Sequence, residues 1–524
     1  MKSTLTKRVL ATAISTAALS LSLPAMAACE DLASMQIENG SVVSAETVSA
    51  GAFAPPAGFL PPPGISATSF ADMPEFCRAR LTLSPSAGSD INSEVWLPVS
   101  GWNGRYTAIG NGIWAGTMSF AEMGRTLERG YATATTDTGH TGNGLTAEWA
   151  VGHPERLVDF GYRAVHATTV AAKAVIEEFY GRGPEFSFWN SCSTGGRQGL
   201  MAAHRYPGDF DAISAMAPAN PMTDLMTQSM WLGWQAHRFG VQLGPQQLGL
   251  VHSAVLRQCD ALDGLEDGVI GRPLQCGFDP ASLQCEAGRQ QGCLSAGQVS
   301  AMRNFYDGVR ASDGAWLLPS WPRGSEMQLA ALTMGAEPFP VAMSYFRDLV
   351  YQGREGWDWR STDYRTYMQD AREYGADILD VPPDGLDAYF ARGGKLLLSH
   401  GWSDGLIPAT NTLAFHHDLY NSVPAGVAQQ QLRLFMAPGM DHCSGGEGPS
   451  QFDTLGTIDE WATTGVAPNR IVATRPVQAM GGFGGPPPPP RDPMERPLCA
   501  WPTVAVYDGH GDSAVADSFI CETE

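Results

Sequence analysis

One stretch in the first half of the chain constrains the fold more than any other: Asn190-Ser191-Cys192-Ser193-Thr194-Gly195-Gly196-Arg197, here called the elbow. It follows the apolar run 186–189 and precedes a helix-like segment that reaches Ala203. A strand that turns tightly into a helix, with a serine at the tip and glycines behind it, exposes that serine as a nucleophile. Ser191 replaces the first glycine of the usual Gly-x-Ser-x-Gly pattern, but it is small enough for the turn. The elbow alone fits equally well a helix-start turn with Ser193 as the N-cap.

Two later apolar runs predict strands that end in loops carrying an acid and a base. The run 394–400 opens into a loop with Asp404, and the run 432–436 opens into a loop with His442. Ser193, Asp404 and His442 follow one another in the order that α/β-hydrolases use. We therefore predict Ser193 as the nucleophile, His442 as its base and Asp404 as the group that orients the base.

The segment before the elbow predicts a parallel sheet. An apolar strand over 131–136 is followed by an amphipathic helix over 163–180 and then by the elbow strand. Strands that alternate with helices in this way are typical of α/β folds. His140 follows the first of these strands, but a base placed before the nucleophile is in the wrong order for this fold. We expect His140 to be a structural turn residue.

The cysteines support the same arrangement. The chain has ten, and an even number in an exported protein predicts disulfides. No Cys-x-x-Cys pair occurs, which disfavours a zinc site. Cys192 adjoins the predicted nucleophile and Cys443 adjoins the predicted base. If Ser193 and His442 meet, their neighbours come close enough for a disulfide between the elbow and the histidine.

The N-terminus has the pattern of a signal peptide over residues 1–27. Lys2, Lys7 and Arg8 precede the apolar run 9–23, and small residues end at Ala27. The run is short and interrupted by hydroxyl residues, which disfavours a membrane anchor. A lipoprotein modified at Cys29 is a weaker alternative, because it would leave an odd thiol. We expect export to the periplasm or the medium and no membrane partner.

The charge of the chain excludes one class of partner. The formal net charge is −21, and removal of the three signal-peptide cations makes it −24. A chain this acidic, without a basic cluster, repels phosphate backbones. We therefore expect no nucleic-acid partner.

The composition divides the mature chain into three parts. Residues 28–219 are predicted as the first part of the core, beginning with a Pro- and Gly-rich arm that lies over the domain as far as Ala71. Residues 220–385, which hold helical segments rich in Met and Trp, are predicted as an inserted lid domain, here called the lid. Residues 386–524 complete the core and include a surface loop over 481–490. A lid over a hydrolase site usually sets substrate selectivity, although Met and Trp stripes also serve as core.

A glycine-rich loop over 110–116 follows a predicted strand. Glycines in that position allow backbone N–H groups to converge on an oxyanion, although a plain glycine-rich turn would look the same without Ser193. We predict that the N–H groups of Thr194 and Gly112 hold the oxyanion.

An acidic loop over 260–269 lies within the lid. It places Asp260, Asp263 and Asp267 at offsets of zero, three and seven, among glycines. Closely spaced carboxylates completed by backbone carbonyls suit calcium, which takes six to eight oxygen ligands. A solvated acidic loop explains the residues equally well.

These features together resemble the tannase and feruloyl esterase family. The Cys192-Ser193 and His442-Cys443 pairs with Asp404 carry the resemblance, which extends over nearly all of the mature chain. It implies an α/β-hydrolase core with a large lid, and a serine triad flanked by an additional disulfide. It also implies a structural calcium ion on Asp260, Asp263, Asp267 and the backbone carbonyls of Leu265 and Val269. The implied disulfides are Cys192–Cys443, Cys29–Cys77, Cys259–Cys276, Cys285–Cys293 and Cys499–Cys521.

The predicted function is that of an exported serine esterase. By resemblance its substrates are small esters of aromatic acids, of the feruloyl, galloyl or terephthalate monoester type, and arginine and aromatic side chains of the lid contact the acyl group. Two alternatives stay open. An acyltransferase would use the same triad, and a binding protein on a hydrolase scaffold would not need all three residues. The sequence does not indicate the oligomeric state.

Overall fold

The computed structural model describes residues 1, 27–56, 70–289, 291–310, 316–333, 335, 337–361, 363–477 and 490–523. Most of the predicted signal peptide and most of the predicted 481–490 loop lie outside these residues. The strands in the described part of the chain are β1 Gln36–Ile37, β2 Gly40–Val48, β3 Phe76–Leu83, β4 Ile91–Pro98, β5 Arg105–Ile109, β6 Trp114–Gly116, β7 Ala132–Thr136, β8 Gly142–Gly144, β9 Phe186–Cys192, β10 Ala212–Met216, β11 Val309–Arg310, β12 Trp316–Leu318, β13 Lys395–Gly401, β14 Leu432–Ala437, β15 Arg470–Arg475, β16 Met494–Cys499, β17 Thr503–Tyr507 and β18 Phe519–Thr523.

The α-helices of the same described part complete the set of elements. They are α1 Phe120–Glu128, α2 Pro154–Val158, α3 Ala164–Tyr180, α4 Thr194–Arg205, α5 Met222–Phe239, α6 Pro245–Cys259, α7 Ala296–Asp307, α8 Ala330–Thr333, α9 Pro340–Ser344, α10 Tyr364–Leu379, α11 Asp387–Ala391, α12 Ala409–Ser422, α13 Ala425–Gln431 and α14 Thr454–Thr464. None of the helices within the described residues combines the length and the apolar character that a membrane span requires.

Ten of these strands form one twisted sheet in the order β1-β2-β3-β4-β7-β5-β9-β10-β13-β14 across the described chain. The six strands from β7 to β14 run parallel, and β1 to β4 add an antiparallel edge. The predicted parallel sheet is confirmed. Because Cys192, Met216 and Ser399 lie in register, the carboxyl ends of the central strands meet at one edge. Loops that follow these strands therefore come together.

Alternating side chains of the central strands bury the sheet on both faces. Trp189 of β9 packs with α3 and α4 on one face, whereas the preceding Phe188 packs against Trp461 of α14 on the other. Both aromatic side chains are almost fully buried. Helices on both faces of a largely parallel sheet are the α/β arrangement that the sequence predicts.

The lid leaves the sheet after β10 and returns before β13. Its helices bury two apolar clusters. The cluster around Trp321 is formed by buried lid residues, whereas the cluster around Tyr345 also includes Trp114 and Phe160 of the core. The segment where the chain enters the lid is hydrogen-bonded to the segment where it leaves. The Asn220 side chain donates to the carbonyl of Val381 at 3.0 Å and accepts from the N–H of Val381 at 2.8 Å. The lid is thus anchored where it joins the core.

The N-terminal segment differs from the predicted arm. Residues 40–48 do not lie over the domain but form β2, which pairs along its length with β3 and extends the sheet. The Pro61-Pro62-Pro63-Gly64 stretch that motivated the arm lies outside the described residues. The local composition concealed the strand, because Pro and Gly nearby outweighed the alternation within 40–48.

All ten cysteines lie in the described residues, where they form five disulfides. The pairs are Cys29–Cys77, Cys192–Cys443, Cys259–Cys276, Cys285–Cys293 and Cys499–Cys521. They are the same pairs that the family resemblance implied.

Candidate active site

The elbow holds Ser193 in a backbone conformation that few residues adopt. Its φ is 63° and its ψ is −126°, between the end of β9 and the start of α4. The N–H of Ser193 donates to the carbonyl of Met216 at 2.9 Å. A Cβ on Gly195 would clash with the Ser191 side chain, and one on Gly196 would lie 2.6 Å from the Met216 carbonyl. The two glycines are therefore required for the turn to pack against β9 and β10.

Ser193, His442 and Asp404 are hydrogen-bonded in series. The Ser193 Oγ lies 3.0 Å from His442 Nε2, and His442 Nδ1 lies 2.7 Å from Asp404 Oδ2. The three residues come from the loops after β9, β14 and β13, whose carboxyl ends adjoin. This is the geometry of a nucleophile, a base and an orienting acid.

Asp404 is fully buried and receives four hydrogen bonds. Its Oδ1 accepts from the N–H groups of Leu406 and Ile407, both at 2.9 Å. Its Oδ2 lies 3.0 Å from His400 Nε2 as well as 2.7 Å from His442. Burial alone would raise the pKa of Asp404, but the charges and hydrogen bonds of His442 and His400 outweigh it and hold the pKa well below its usual range. The carboxylate therefore stays ionised beside His442.

Gln328 of the lid holds both the loop that carries His442 and the loop that carries Asp404. Its Oε1 accepts from the N–H of His442 at 3.0 Å and from the N–H of Gly405, the residue after Asp404, at 3.1 Å. Neither Gln328 nor His400 was predicted from the sequence. His400 lies within the buried strand β13, and Gln328 is distant in the chain, so neither carries a local signal.

The disulfide between Cys192 and Cys443 joins the two sides of this arrangement. Their Cα atoms lie 5.9 Å apart, although the residues are 251 positions apart in sequence. Cys443, like Ser193, has a positive φ, of 64°. The covalent bond thus ties the elbow directly to the residue that follows His442.

Thr194 and Gly112 carry the two backbone donors that are predicted to hold an oxyanion. The N–H groups of Thr194 and Gly112 donate to no acceptor among the described residues. The 110–113 loop is held in place because the Thr194 hydroxyl donates to the Ile113 carbonyl at 2.9 Å. Asn111 also fixes it, since its N–H donates to Gln198 Oε1 at 3.0 Å. The pairing of Thr194 with Gly112 as donors stays a prediction.

A cavity opens beside Ser193 and His442, between core and lid. Its lining is mainly apolar, and the described residues that form it are Ile113, Ser193, Thr194, Ala219, Met222, Leu225, Met226, Ser229, Phe339, Val341, Leu406, Ile407 and His442. No arginine is among these described lining residues, and Phe339 is an aromatic side chain of the lid among them. The expectation that arginine and aromatic side chains of the lid contact the acyl group stays a prediction.

Backbone N–H groups of the acidic loop donate hydrogen bonds to its own carboxylates. Asp260 accepts from the N–H of Gly268 at 2.9 Å, and Asp263 accepts from the N–H of Leu265 at 3.1 Å. Burial, followed by the charges of Asp267 and Asp260, raises the pKa of Asp263 to about 6. Among the described residues no three His, Cys, Asp or Glu side chains converge as a metal cage. The loop offers oxygen ligands, which a hard cation prefers. The positive charge of such a cation would offset the repulsion between the carboxylates.

His140 lies away from this hydrogen-bonded series. Its Nε2 lies 2.7 Å from the carbonyl of Trp114, and its ring stacks on Trp149 at 3.7 Å. Burial lowers the pKa of His140 to about 4. These contacts make it a packed neutral side chain in a turn.

Comparison with known proteins gives one consistent result. Residues 77–522 match the family model described as tannase and feruloyl esterase. The chain is 32% identical to an uncharacterized esterase of Xanthomonas campestris pv. campestris, over 95% of this chain and 91% of that protein. It is 31% identical to a probable feruloyl esterase B of Emericella nidulans, over 85% and 86% respectively. The crystal structure of feruloyl esterase B from Aspergillus oryzae superposes with a TM-score of 0.81 at 26% identity, over 94% of this chain and 99% of that one.

The fold and these likenesses define a carboxylic ester hydrolase with an α/β-hydrolase core and a lid. The chain belongs to the tannase and feruloyl esterase family, because the family model covers most of its length. The predicted fold and the resemblance are both confirmed.

Proposed function

We propose that the chain hydrolyses small esters of aromatic carboxylic acids through an acyl group carried on Ser193. One observation supports this above all others: Ser193 Oγ lies 3.0 Å from His442 Nε2, which in turn is oriented by Asp404. Relatives that are named feruloyl esterase B support an aromatic acid as the acyl part. The apolar lining with Phe339 beside Ser193 suits an aromatic ring.

In the first half of the reaction Ser193 Oγ bonds to the ester carbonyl carbon. Its proton passes to His442 Nε2, while the ionised Asp404 stabilises the imidazolium at Nδ1. The carbonyl oxygen becomes an oxyanion held by the N–H groups of Thr194 and Gly112. One such donor is worth about 3 kcal/mol in the transition state. The alcohol then leaves with the proton from His442, and the acyl group remains on Ser193.

In the second half water replaces the alcohol. His442 takes a proton from the water as its oxygen bonds to the acyl carbon, and it returns that proton to Ser193 Oγ as the acid leaves. Neither half changes an oxidation state, so the reaction needs no redox cofactor. The fixed Gln328 contact keeps His442 in reach of Ser193 through both halves.

Substitution of Ser193 by Ala tests the proposal. We expect Ser193→Ala to lower kcat for methyl ferulate, methyl gallate or mono(2-hydroxyethyl) terephthalate by at least about 10⁴-fold, because the acyl acceptor is lost. Ser253→Ala is the control, since Ser253 lies exposed on α6 and bonds only to Gly249 of its own helix. Retained hydrolysis in Ser193→Ala would refute the mechanism. Acyl transfer to added alcohols in preference to water would make the chain an acyltransferase instead.

We also propose that the acidic loop binds a structural calcium ion. Asp260, Asp263 and Asp267 with the carbonyls of Leu265 and Val269 would hold it, and the ion would neutralise carboxylates that otherwise repel one another. We expect chelation by EGTA to lower the midpoint of thermal unfolding, and added Ca²⁺, but not Mg²⁺, to restore it. An unfolding midpoint that responds to neither treatment would contradict a calcium site.

The disulfides support export from the cytoplasm. Five disulfides are typical of an oxidising environment, and the predicted signal peptide ends at Ala27. We expect the protein recovered outside the cytoplasm to begin at Ala28. An N-terminal sequence that still starts at Met1 in active protein would contradict this cleavage.

A further inference from the structure

A second histidine contacts the carboxylate of Asp404. His400 belongs to β13, four residues before Asp404, and both side chains are fully buried. Its Nε2 lies 3.0 Å from Asp404 Oδ2, the same oxygen that lies 2.7 Å from His442 Nδ1. Two imidazole rings therefore share one carboxylate oxygen, and His442 is the one that is hydrogen-bonded to Ser193. The proposed reaction uses His442 and gives no role to His400.

The neighbours of His400 Nε2 show that this nitrogen carries a hydrogen. It lies 3.0 Å from Asp404 Oδ2 and 3.0 Å from the carbonyl oxygen of Ile407. An ionised carboxylate and a carbonyl can only accept hydrogen bonds, so Nε2 must be the donor. Nδ1 lies 2.8 Å from the hydroxyl of Thr412, which can either donate or accept. His400 therefore donates to Asp404 whichever partner supplies the hydrogen at Nδ1.

Ile407 links the two oxygens of the Asp404 carboxylate. Its N–H donates to Oδ1 at 2.9 Å, and its carbonyl accepts from His400 Nε2. His400 in turn donates to Oδ2. The carboxylate is thus held at both oxygens by one closed set of hydrogen bonds that is anchored on β13. It cannot rotate away from His442 without breaking at least one of them.

The hydrogen bond from His400 also weakens Asp404 as a base. A donor to a carboxylate oxygen stabilises the ionised form. Burial raises the pKa of Asp404, but the charge of His442 and the hydrogen bonds of both histidines outweigh it and hold the pKa well below its usual range. A less basic carboxylate stabilises the imidazolium of His442 less strongly. His442 therefore gives up its second proton at a lower pH than it would beside Asp404 alone.

Two other acidic residues lie close to the base. Asp441 precedes His442, and burial, followed by the charges of Asp404 and Glu447, raises the pKa of Asp441 to about 8. Its carboxyl group is therefore uncharged at neutral pH. Glu447 is paired with His252 at 2.8 Å. Both acidic residues stay in place when the second histidine is replaced, so they cannot cause a difference between such variants.

We propose that His400 is a positioning residue that sets the pH at which His442 begins to act as a base. It acts through Asp404, and it neither contacts the substrate nor carries a proton in the reaction. The inference rests on the proposed function and deepens it. Without the Nε2 donor, a more basic Asp404 would hold the second proton on His442 up to a higher pH.

The pH dependence of kcat/KM for methyl ferulate tests this role. The acid limb of that profile reports the protonation of the base in the free enzyme. We expect His400→Leu to move the acid limb to higher pH by about one unit, the value of one hydrogen bond to an ionised group. Activity well above that limb should be largely retained, because His400 does not contact the reacting atoms.

Two amide variants separate the two nitrogens of His400. The Gln side chain in His400→Gln reaches the position of Nε2 and keeps an N–H towards Asp404. The shorter Asn side chain in His400→Asn reaches only the position of Nδ1, which faces Thr412. We expect the acid limb of His400→Gln to stay at its wild-type position and that of His400→Asn to move as in His400→Leu. If the Leu variant does not fold, the amide pair gives the same comparison.

His416→Leu is the matched control. His416 is another buried histidine, on α12, and burial lowers its pKa to about 4. Its replacement should lower the midpoint of thermal unfolding without moving the acid limb. An acid limb that stays in place in His400→Leu and His400→Asn, or that moves equally in His400→Gln, would overturn the proposal. Failure of the proposed function looks different, because then the wild type cleaves no ester or Ser193→Ala retains activity.

Discussion

At the scale of single residues, one side-chain oxygen of the lid holds two backbone groups of the core. Gln328 Oε1 accepts from the N–H of His442 and from the N–H of Gly405. These groups belong to the loops that carry His442 and Asp404, the proposed base and its orienting acid. Docking of the lid on the core and alignment of His442 with Asp404 therefore both depend on Gln328.

Gln328→Leu is expected to lower kcat by about ten- to a hundred-fold with little change in KM. The substitution leaves two partly buried N–H groups without an acceptor, which costs about 1–3 kcal/mol for each, and the loops shift to recover those bonds. Steady-state kinetics with methyl ferulate measure the effect. Met327→Ala is the control, because Met327 is exposed in the same turn. A change confined to KM would contradict a positioning role.

The sequence revealed the three central residues of the site because each has a local signal. Ser193 lies in a strand-turn-helix pattern, whereas Asp404 and His442 each follow a buried apolar run. Gln328 has no such signal, because its role arises only when the lid packs on the core. The sequence could not select the lid side chains that line the cavity for the same reason, since which side chains face a cavity depends on how two distant segments dock.

At the scale of elements, the Cys192–Cys443 disulfide joins the end of β9 to the loop after β14. It closes a segment of 251 residues in sequence, which includes the whole lid. Cross-links over long segments remove more conformational entropy from the unfolded chain than short ones do. The Cys285–Cys293 bond, which spans only 8 residues, offers a comparison within the same molecule.

Replacement of Cys192 and Cys443 together by Ala is expected to lower the free energy of unfolding by about 2–5 kcal/mol. Replacement of Cys285 and Cys293 should cost less, because that loop is short. Denaturant unfolding under oxidising conditions gives both values. Activity should fall in the first variant alone, because only that bond adjoins His442. Equal losses of stability and activity in the two variants would contradict this assignment.

The elements of the core were predicted better than the edge of the sheet. The strands and helices around the elbow follow clear periodicities, and the structure has them at the predicted places. β2 was missed because it pairs with β3 at the margin of the sheet, where a strand needs only one buried face. Its alternating burial is weak, with Val42 the one buried residue in its nine positions.

At the scale of the whole molecule, a buried histidine joins the lid to the loop that follows His442. His252 of α6 lies 2.8 Å from Glu326 of the lid and 2.8 Å from Glu447 of the core. Tyr306 donates to the other oxygen of Glu326 at 2.6 Å, and Arg491 donates to Glu447 at 2.8 Å. Burial alone would lower the pKa of His252, but the two carboxylates outweigh it and raise the pKa to about 10.

His252 therefore makes stability depend on pH in a definite direction. Its folded pKa of about 10 lies above the ordinary value of 6.5. The stabilisation is fully present below pH 6.5 and is lost as pH rises towards 10, by up to about 1.4 kcal/mol per pH unit. His252→Gln should lower the free energy of unfolding by about 3 kcal/mol at neutral pH, because it removes the charge between two carboxylates.

Unfolding measured at several pH values checks this expectation. The difference between the wild type and His252→Gln should shrink from pH 7 to pH 10. His417→Gln, at an exposed position of α12, should show no such trend. A difference that stays constant over this range would mean that His252 is not charged in the folded protein.

The long span of the Cys192–Cys443 bond has a further consequence when a protease cuts the chain. A single cut anywhere between the two cysteines, including every surface turn of the lid, leaves both fragments covalently attached through the bond. The serine and the histidine then stay on one molecule, and the severed lid cannot diffuse away from either half. Damage of this kind would become visible as two pieces only after reduction.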